Sequence, residues 1–343
     1  ALSSAASDVY KRQGKKILGL VLALALAMTG CSGEEKKEIT NSKEPAASVD
    51  NGTLKGDSKV IAVGKTTVTY NEYRTYSYIL RNSYDTLLDG NVWNYSVKAG
   101  QTIGKDAIED TIRMIIQLKV IGKCAGSIGV SLGANEKEQL TYEAEKFLQS
   151  VPEETRKQYG MTVQLIADML RDNEIARRVY DVTTGKADTN ITDEEAQVVE
   201  AQVICLLTNG IDKNGVSKKA DEAEKTALFE QAKKLREQAK DSGFYALAEA
   251  NSSLADIHMN IGREDEPKEL AAAAFTLQAG QISEVITASN GYYIINCLSV
   301  NKESVVNEHR EELVLEKRNK AFQNTYKTWS EKFGVHVSRS LLK

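Results

Sequence analysis

The stretch Val285-Ile286-Thr287-Ala288-Ser289-Asn290-Gly291-Tyr292-Tyr293-Ile294-Ile295 sets two β-branched and aromatic runs on either side of Asn290-Gly291. Asn-Gly between apolar runs is a strong hairpin signal, because both residues tolerate the positive φ that the tight, twist-matched turn requires. The reading is therefore strand, turn, strand, entered from a helix that ends near Phe275.

Working outward toward the N-terminus, residues 219–242 form a charged helical pattern with Ala223, Ala227, Leu228, Leu235 and Ala239 inward and Gly243 as its stop. Before it lies the apolar β-type run Ala201-Gln202-Val203-Ile204-Cys205-Leu206-Leu207, and before that Thr192-Asp193-Glu194-Glu195, which has the spacing of a helix capping box. The change of character near Val198 marks a domain boundary, so residues 198–302 are expected to fold as one domain.

Three spaced motifs give this domain a relative. Lys240-Asp241-Ser242-Gly243-Phe244-x-x-Leu247-Ala248, then Ala274-Phe275-x-Leu277-x-x-Gly280-x-Ile282-Ser283, then Gly291-Tyr292-Tyr293-Ile294-Ile295, in the order strand, charged helix, motif, hairpin, resemble a parvulin-type (PpiC, rotamase) prolyl isomerase domain. The resemblance implies a four-stranded antiparallel sheet flanked by helices.

The flanks are mostly helical. Residues 60–69 hold two β-rich runs around Gly64-Lys65, followed by a Thr69-x-x-Glu72 capping box and a helix carrying Tyr70, Tyr73, Tyr76, Ile79 and Leu80 on a packed stripe. Three amphipathic stretches follow, around Ile108 to Val120, Leu140 to Leu148 and Leu165 to Val179. After the domain comes a long charged helix with Phe322, Tyr326, Trp329 and Phe333 on one face, then a short strand, Val335-His336-Val337. Residues 59–197 and 303–343 thus each leave apolar faces in need of partners, and Val335 to Val337 are expected to pair near Val60 to Val63.

At the front, Lys11, Arg12, Lys15 and Lys16 lead into an apolar run at 17–28 and then Thr29-Gly30-Cys31. A run of about a dozen residues is short of the roughly 20 that span a bilayer, so a cleaved export signal over residues 1–30 is expected. Residues 1–13 do not start with Met, are read as a sequencing artefact and are set aside. Met28-Thr29-Gly30-Cys31 resembles a lipobox, which implies a diacylglyceryl group on the Cys31 thiol and cleavage just before it. Residues 31–58, polar and with no aromatic residue, read as a lipidated flexible linker. Lipobox, helical flanks and parvulin-like insert together resemble foldases of the PrsA and SurA type. The fold class implied is α+β: a mainly helical chaperone lobe built from N- and C-terminal segments, with an inserted parvulin-like domain.

Charge and cysteines narrow the chemistry. Loss of Lys11, Arg12, Lys15, Lys16 and Asp8 with the signal moves the formal net charge from −4 to −7, which argues against a nucleic-acid partner. Cys124, Cys205 and Cys297 form no C-x-x-C pair and have no histidine cluster, so no disulfide framework, metal site or cofactor is expected. Cys205 and Cys297 are expected as free buried thiols.

Rotation about an X-Pro bond faces a barrier of about 18–20 kcal/mol and takes tens to hundreds of seconds unaided. The resemblance implies an apolar proline slot beside a network of two histidines and a cysteine or aspartate. In this chain it puts Val203 and Tyr293 at the two histidine positions and Leu254 at the cysteine or aspartate position. It puts Leu270 at the slot phenylalanine and Glu266 at the slot methionine, and Ile257-His258-Met259-Asn260 replaces the family's glycine-rich turn. With Phe275 and Asn290 these residues outline the expected peptide cleft. Tyr293 is the candidate catalytic donor through its hydroxyl, whereas the Val203 side chain neither donates nor accepts. The alternative is that Val203, Leu254 and Tyr293 pack as core and the sheet binds polypeptide without chemistry. His258, His309 and His336 are read as solvated or structural.

Three functions stay open. One is a membrane-anchored, extracytoplasmic prolyl isomerase that assists folding of proline-containing exported polypeptides at a Gram-positive cell membrane. The second is a holdase with the aromatic-rich residues 70–95, including Trp93, as a wall of its cleft. The third is a solute-binding lipoprotein, disfavoured by the lack of strand and helix alternation across two lobes.

Overall fold

The computed structural model describes residues 42–50, 52–85, 92–94, 96–98, 101–211, 217–241, 243–254 and 256–342. The expected export signal, Cys31 and Tyr95 lie outside the described residues, and so does the first part of the segment read as a flexible linker. Its later part is held to the first unit, with the Ala47 amide donating to the Gly64 carbonyl at 2.7 Å and Leu54 packed on the core. The chain divides into two compact units, one of residues 1–95, 102–187 and 318–343, the other of 96–101 and 188–317.

In the first unit β1 (Lys59–Val63) and β2 (Thr66–Thr69) form the hairpin read from the sequence. Gly64 supplies its left-handed residue, with φ of 54°. The Thr69 hydroxyl accepts from the Glu72 amide at 3.2 Å and starts α1 (Tyr70–Asp85). Four more helices follow: α2 (Ile103–Ala125), α3 (Ala134–Ser150), α4 (Glu153–Tyr159) and α5 (Val163–Thr184). The aromatic stripe of α1 is core, with Tyr73, Tyr76 and Ile79 buried in one cluster with Ile112, Ile115 and Leu118 of α2.

An ion triad ties three of these helices. Lys119 Nζ lies 2.7 Å from Glu72 Oε1 and 2.5 Å from Asp172 Oδ2. Burial pushes the Glu72 pKa up against the opposing pull of Lys119. Burial pulls the Lys119 pKa down, but the two carboxylates outweigh it and the net shift is upward.

In the second unit β3 (Val198–Leu207) is followed by α6 (Glu222–Asp241), α7 (Phe244–Asn251), β4 (His258–Gly262) and α8 (Lys268–Ala274). The hairpin β5 (Ile286–Ala288) and β6 (Gly291–Val300) completes a four-stranded sheet in the order β4-β3-β6-β5, antiparallel throughout. The long helix α9 (Glu303–Ser330) contributes residues to both units. In the first unit Phe322 and Trp329 of α9 are buried in the core, and the Tyr180 hydroxyl donates to Asn319 Oδ1 at 2.7 Å. The final strand β7 (Val335–Val337) pairs antiparallel with β1, Val335 opposite Val63 and Val337 opposite Ile61. The apolar faces left open in the sequence are satisfied here. The architecture is α+β, as expected from the sequence.

Four local expectations are corrected. Thr192 and Glu195 exchange both capping-box bonds, at 2.8 and 3.1 Å, but they close a single turn. β3 begins at Val198 and leaves no length for a helix. On α6 the inward stripe is Leu228, Ala232, Leu235 and Ala239, while Ala223 and Ala227 are exposed, because the three- and four-residue steps that join the stripe leave those two positions off its face. Gly243 is not a left-handed stop; with φ of −61° it is the residue that leads into α7. In the hairpin, Gly291 already pairs with Ala288 and Leu207, so the turn residues are Ser289 and Asn290. No positive φ occurs at Ser289, Asn290 or Gly291. The glycine is needed for a different reason: a Cβ there would stand 2.6 Å from the Leu206 carbonyl oxygen.

Candidate functional site: the sheet face of the second unit

Side chains alternate across a strand, so β3 and β6 each divide between two faces. Ile204, Leu206 and Ile294 turn toward α6 and α7, where they cluster with Leu235, Ala239, Phe244 and Ala248. Val203, Cys205, Tyr293, Ile295 and Cys297 turn to the other face, which α8 covers through Leu270, Ala271 and Ala274. The antiparallel register sets Tyr293 opposite Cys205 and Ile295 opposite Val203. The loop before β5 is pinned to β6 by Ser283, whose hydroxyl accepts from the Ile295 amide at 2.9 Å.

This face brings together most of the residues singled out in the sequence. Val203 is fully buried, and Leu270 and Tyr293 are 2% and 3% exposed. Leu254 and Phe275 are half-buried at the margin of the same cluster. The Arg263 guanidinium carbon stands 4.3 Å from the centre of the Phe275 ring, within cation–π range. Asn290, half-buried, accepts the Tyr293 hydroxyl on its side-chain oxygen at 3.0 Å. Glu266 is not brought in: it is exposed, and its carboxylate accepts from the Lys268 amide at 3.1 Å.

The electrostatics of the face are those of a neutral interior. Burial, together with the hydrogen bond to Cys205, drives the Tyr293 phenol far above its ordinary pKa, and Asn290 pulls only weakly the other way. Burial also raises the Cys205 and Cys297 thiols, with the Tyr293 bond partly relieving Cys205. Both cysteines are free and buried, as expected. The upward shifts keep the Tyr293 phenol and the Cys205 thiol in their neutral forms, beside the uncharged Asn290 amide.

No imidazole joins this polar trio. His258 is exposed on β4 opposite Gln202, with its ring 6.0 Å from Tyr245. His309 is buried on α9, its ring packed against Gly262 and its Nδ1 3.7 Å from Glu312. His336 is exposed on β7, in the first unit. Among the described residues no group of three or more His, Cys, Asp or Glu side chains is placed to hold a metal. Cys205 is the member of the trio that the sequence reading left out of the site. Its signal was the period-two spacing from Val203 on an apolar strand.

Residues 207–308 match the family model of the PPIC-type PPIase domain. The chain thus carries the parvulin-type domain read from its motifs, and the matched span includes Leu254, Glu266, Leu270, Phe275, Asn290 and Tyr293 while Val203 and Cys205 precede it. Among solved structures the chain is similar to the foldase PrsA of Streptococcus pneumoniae, at 21% identity over 68% of this chain and 87% of that one, with a TM-score of 0.33. It is also similar to the peptidylprolyl isomerase PrsA of Bacillus anthracis, at 18% identity over 63% and 95%, with a TM-score of 0.36. A third similar structure comes from work on two SurA-like chaperones of Campylobacter jejuni, at 14% identity over 82% and 99%, with a TM-score of 0.30. No curated protein matches the chain.

Proposed function

We propose that this protein is an extracytoplasmic folding factor that binds unfolded exported polypeptides and is held on the outer face of a cell membrane by lipid on Cys31. The observation that carries the reading is a PPIC-type domain whose sheet face holds buried Val203 and Tyr293 and no imidazole. Such a face offers buried apolar contacts and lacks the two imidazoles that the parvulin resemblance implies for an isomerase. Binding, rather than acceleration of X-Pro rotation, is the activity these residues support. A bound chain first meets the half-buried margin, Leu254, Phe275 and Asn290. In this reading residues 198–302 are an insert, and residues 59–197 and 303–343 form the helical chaperone lobe.

Residual isomerisation through Tyr293 is the second reading, favoured by the hydrogen bond from its hydroxyl to Asn290. A peptide isomerisation assay run beside suppression of aggregation of an unfolded client separates the two. Rate enhancement that Tyr293→Phe abolishes supports the enzyme, and suppression without enhancement supports the holdase.

The lipid anchor rests on Met28-Thr29-Gly30-Cys31. No helix among the described residues is long and apolar enough to cross a membrane. Cys31→Ser is expected to release the protein into the medium; retention of the variant in the membrane fraction overturns the anchor.

A further inference from the structure

Within the first unit, α3 and α5 leave between them a groove of about 470 Å³. Its aliphatic lining comes from Leu140 and Leu170, both half-buried. Beside them lies Asn173, 2% exposed. The Asn173 amide nitrogen donates to the Met169 carbonyl at 2.8 Å, and its side-chain oxygen has no hydrogen-bond partner. A buried acceptor without a donor is costly, and pairing it recovers part of that cost.

The charge of the groove is unbalanced. Arg178 bridges Glu136 and Glu174, and Arg177 on the same helix holds both oxygens of Glu174, so two guanidiniums answer these two carboxylates. Glu143 adds a third carboxylate, whose contact is the neutral Gln139 amide at 3.2 Å. An apolar lining under excess negative charge, with an acceptor set among the leucines, is complementary to a long alkyl stem ending in a cation. An acidic segment would meet repulsion from Glu143 there, and a purely apolar one would leave that carboxylate unanswered.

We infer that this groove is a subsite for lysine and arginine side chains of unfolded client polypeptides. The inference rests on the folding-factor reading and adds the class of client residue that the helical lobe selects.

The test uses the full chain and two end-capped fluorescent peptides, Gly-Leu-Lys-Leu-Gly and the same peptide with Glu in place of Lys, read by anisotropy. Aggregation suppression of an unfolded client is measured in parallel. The Lys peptide is expected to bind more tightly than the Glu peptide, with amide shifts confined to α3 and α5. Glu143→Lys is expected to weaken the Lys peptide roughly five- to tenfold, the size of replacing one surface attraction with one repulsion. Glu143→Gln should give a smaller loss in the same direction. Glu143 is half-buried and bonded only to Gln139, so a thermal melt that matches the wild type confirms that both variants fold. Equal affinity for the two peptides, or no change in Glu143→Lys, overturns the subsite while suppression by the wild type leaves the folding-factor reading standing. Failure of the wild type to suppress aggregation overturns that reading itself, whatever the peptides do.

Discussion

Gly291→Ala isolates the contact on which the sheet of the second unit closes. Gly291 is the first residue of β6 and pairs with Leu207 on one side and Ala288 on the other. A Cβ at this position would lie 2.6 Å from the Leu206 carbonyl oxygen and 3.1 Å from the Leu207 Cα. Both are backbone atoms of a paired strand, and neither can swing aside as a side-chain tip can. The methyl group must push β3 and β6 apart at one end of the longest ladder in the sheet. Forcing an extra methyl into a packed site costs typically 1–3 kcal/mol, and immovable neighbours favour the middle to upper part of that range, about 2 kcal/mol. That corresponds to roughly thirtyfold faster exchange for amides that exchange through opening of this unit. Both tryptophans, Trp93 and Trp329, lie in the first unit, so indole fluorescence does not report this event. Hydrogen exchange read by mass spectrometry on fragments covering 198–207 and 291–300 does, with the hairpin at 59–69 as an internal control. A change below about 0.5 kcal/mol in those fragments, the scatter of ordinary surface substitutions, refutes the steric argument.

Lys119→Met leaves Glu72 and Asp172 facing each other in a largely buried site without a cation, and removal of one partner from a buried ion group typically costs about 3–5 kcal/mol. A urea midpoint unchanged from the wild type would show that the triad does not hold the three helices. Glu195 is held down to about 2 by the Lys317 side chain first and then by the Thr192 amide and hydroxyl. Because its folded pKa lies below the ordinary 4.5, its contribution is present above that value and lost as pH falls toward about 2, so the stability gap between wild type and Glu195→Gln should close over that range. Glu72 works in the opposite sense: burial raises its folded pKa, so its contribution is full at low pH and is lost as pH rises through that value. Cys124, Cys205 and Cys297 should resist alkylation in the folded protein and take three adducts after denaturation; a native mass two hydrogens lighter would reveal a disulfide instead.

Features fixed by short-range chemistry were legible in the residues. Gly64-Lys65 between β-rich runs gave the first hairpin, and Thr69-x-x-Glu72 gave the start of α1. The four- and three-residue spacing of Phe322, Tyr326, Trp329 and Phe333 gave the docking face of α9, and the need of Val335 to Val337 for a partner pointed to β1. Features decided by what lies across a contact were not. The same capping-box chemistry that starts a helix at Tyr70 closes only a turn at Thr192, because a strand begins six residues later. Asn290-Gly291 was read as a turn by local preference, whereas the neighbouring strand sets the glycine's role.

The site divides along the same line. The parvulin resemblance assigns Val203, Leu270 and Tyr293 to one cleft, and the structure buries all three in one cluster. Cys205 shares their face by strand period, but its place opposite Tyr293 is set by cross-strand register, and Glu266 turns out to solvent beside Lys268. The Lys119 triad and the unpaired oxygen of Asn173 depend on three helices meeting, which no single helical pattern encodes.

The central claim is that the PPIC-type domain of this chain binds polypeptide without catalysing prolyl rotation. Its most direct test is the cis-to-trans relaxation rate of a short proline-containing peptide, measured with the full chain at concentrations that suppress aggregation of an unfolded client. The account predicts full suppression with a relaxation rate equal to that of the buffer, unchanged by Tyr293→Phe. A clear rate enhancement that disappears in Tyr293→Phe would contradict it and make the buried phenol a catalytic group.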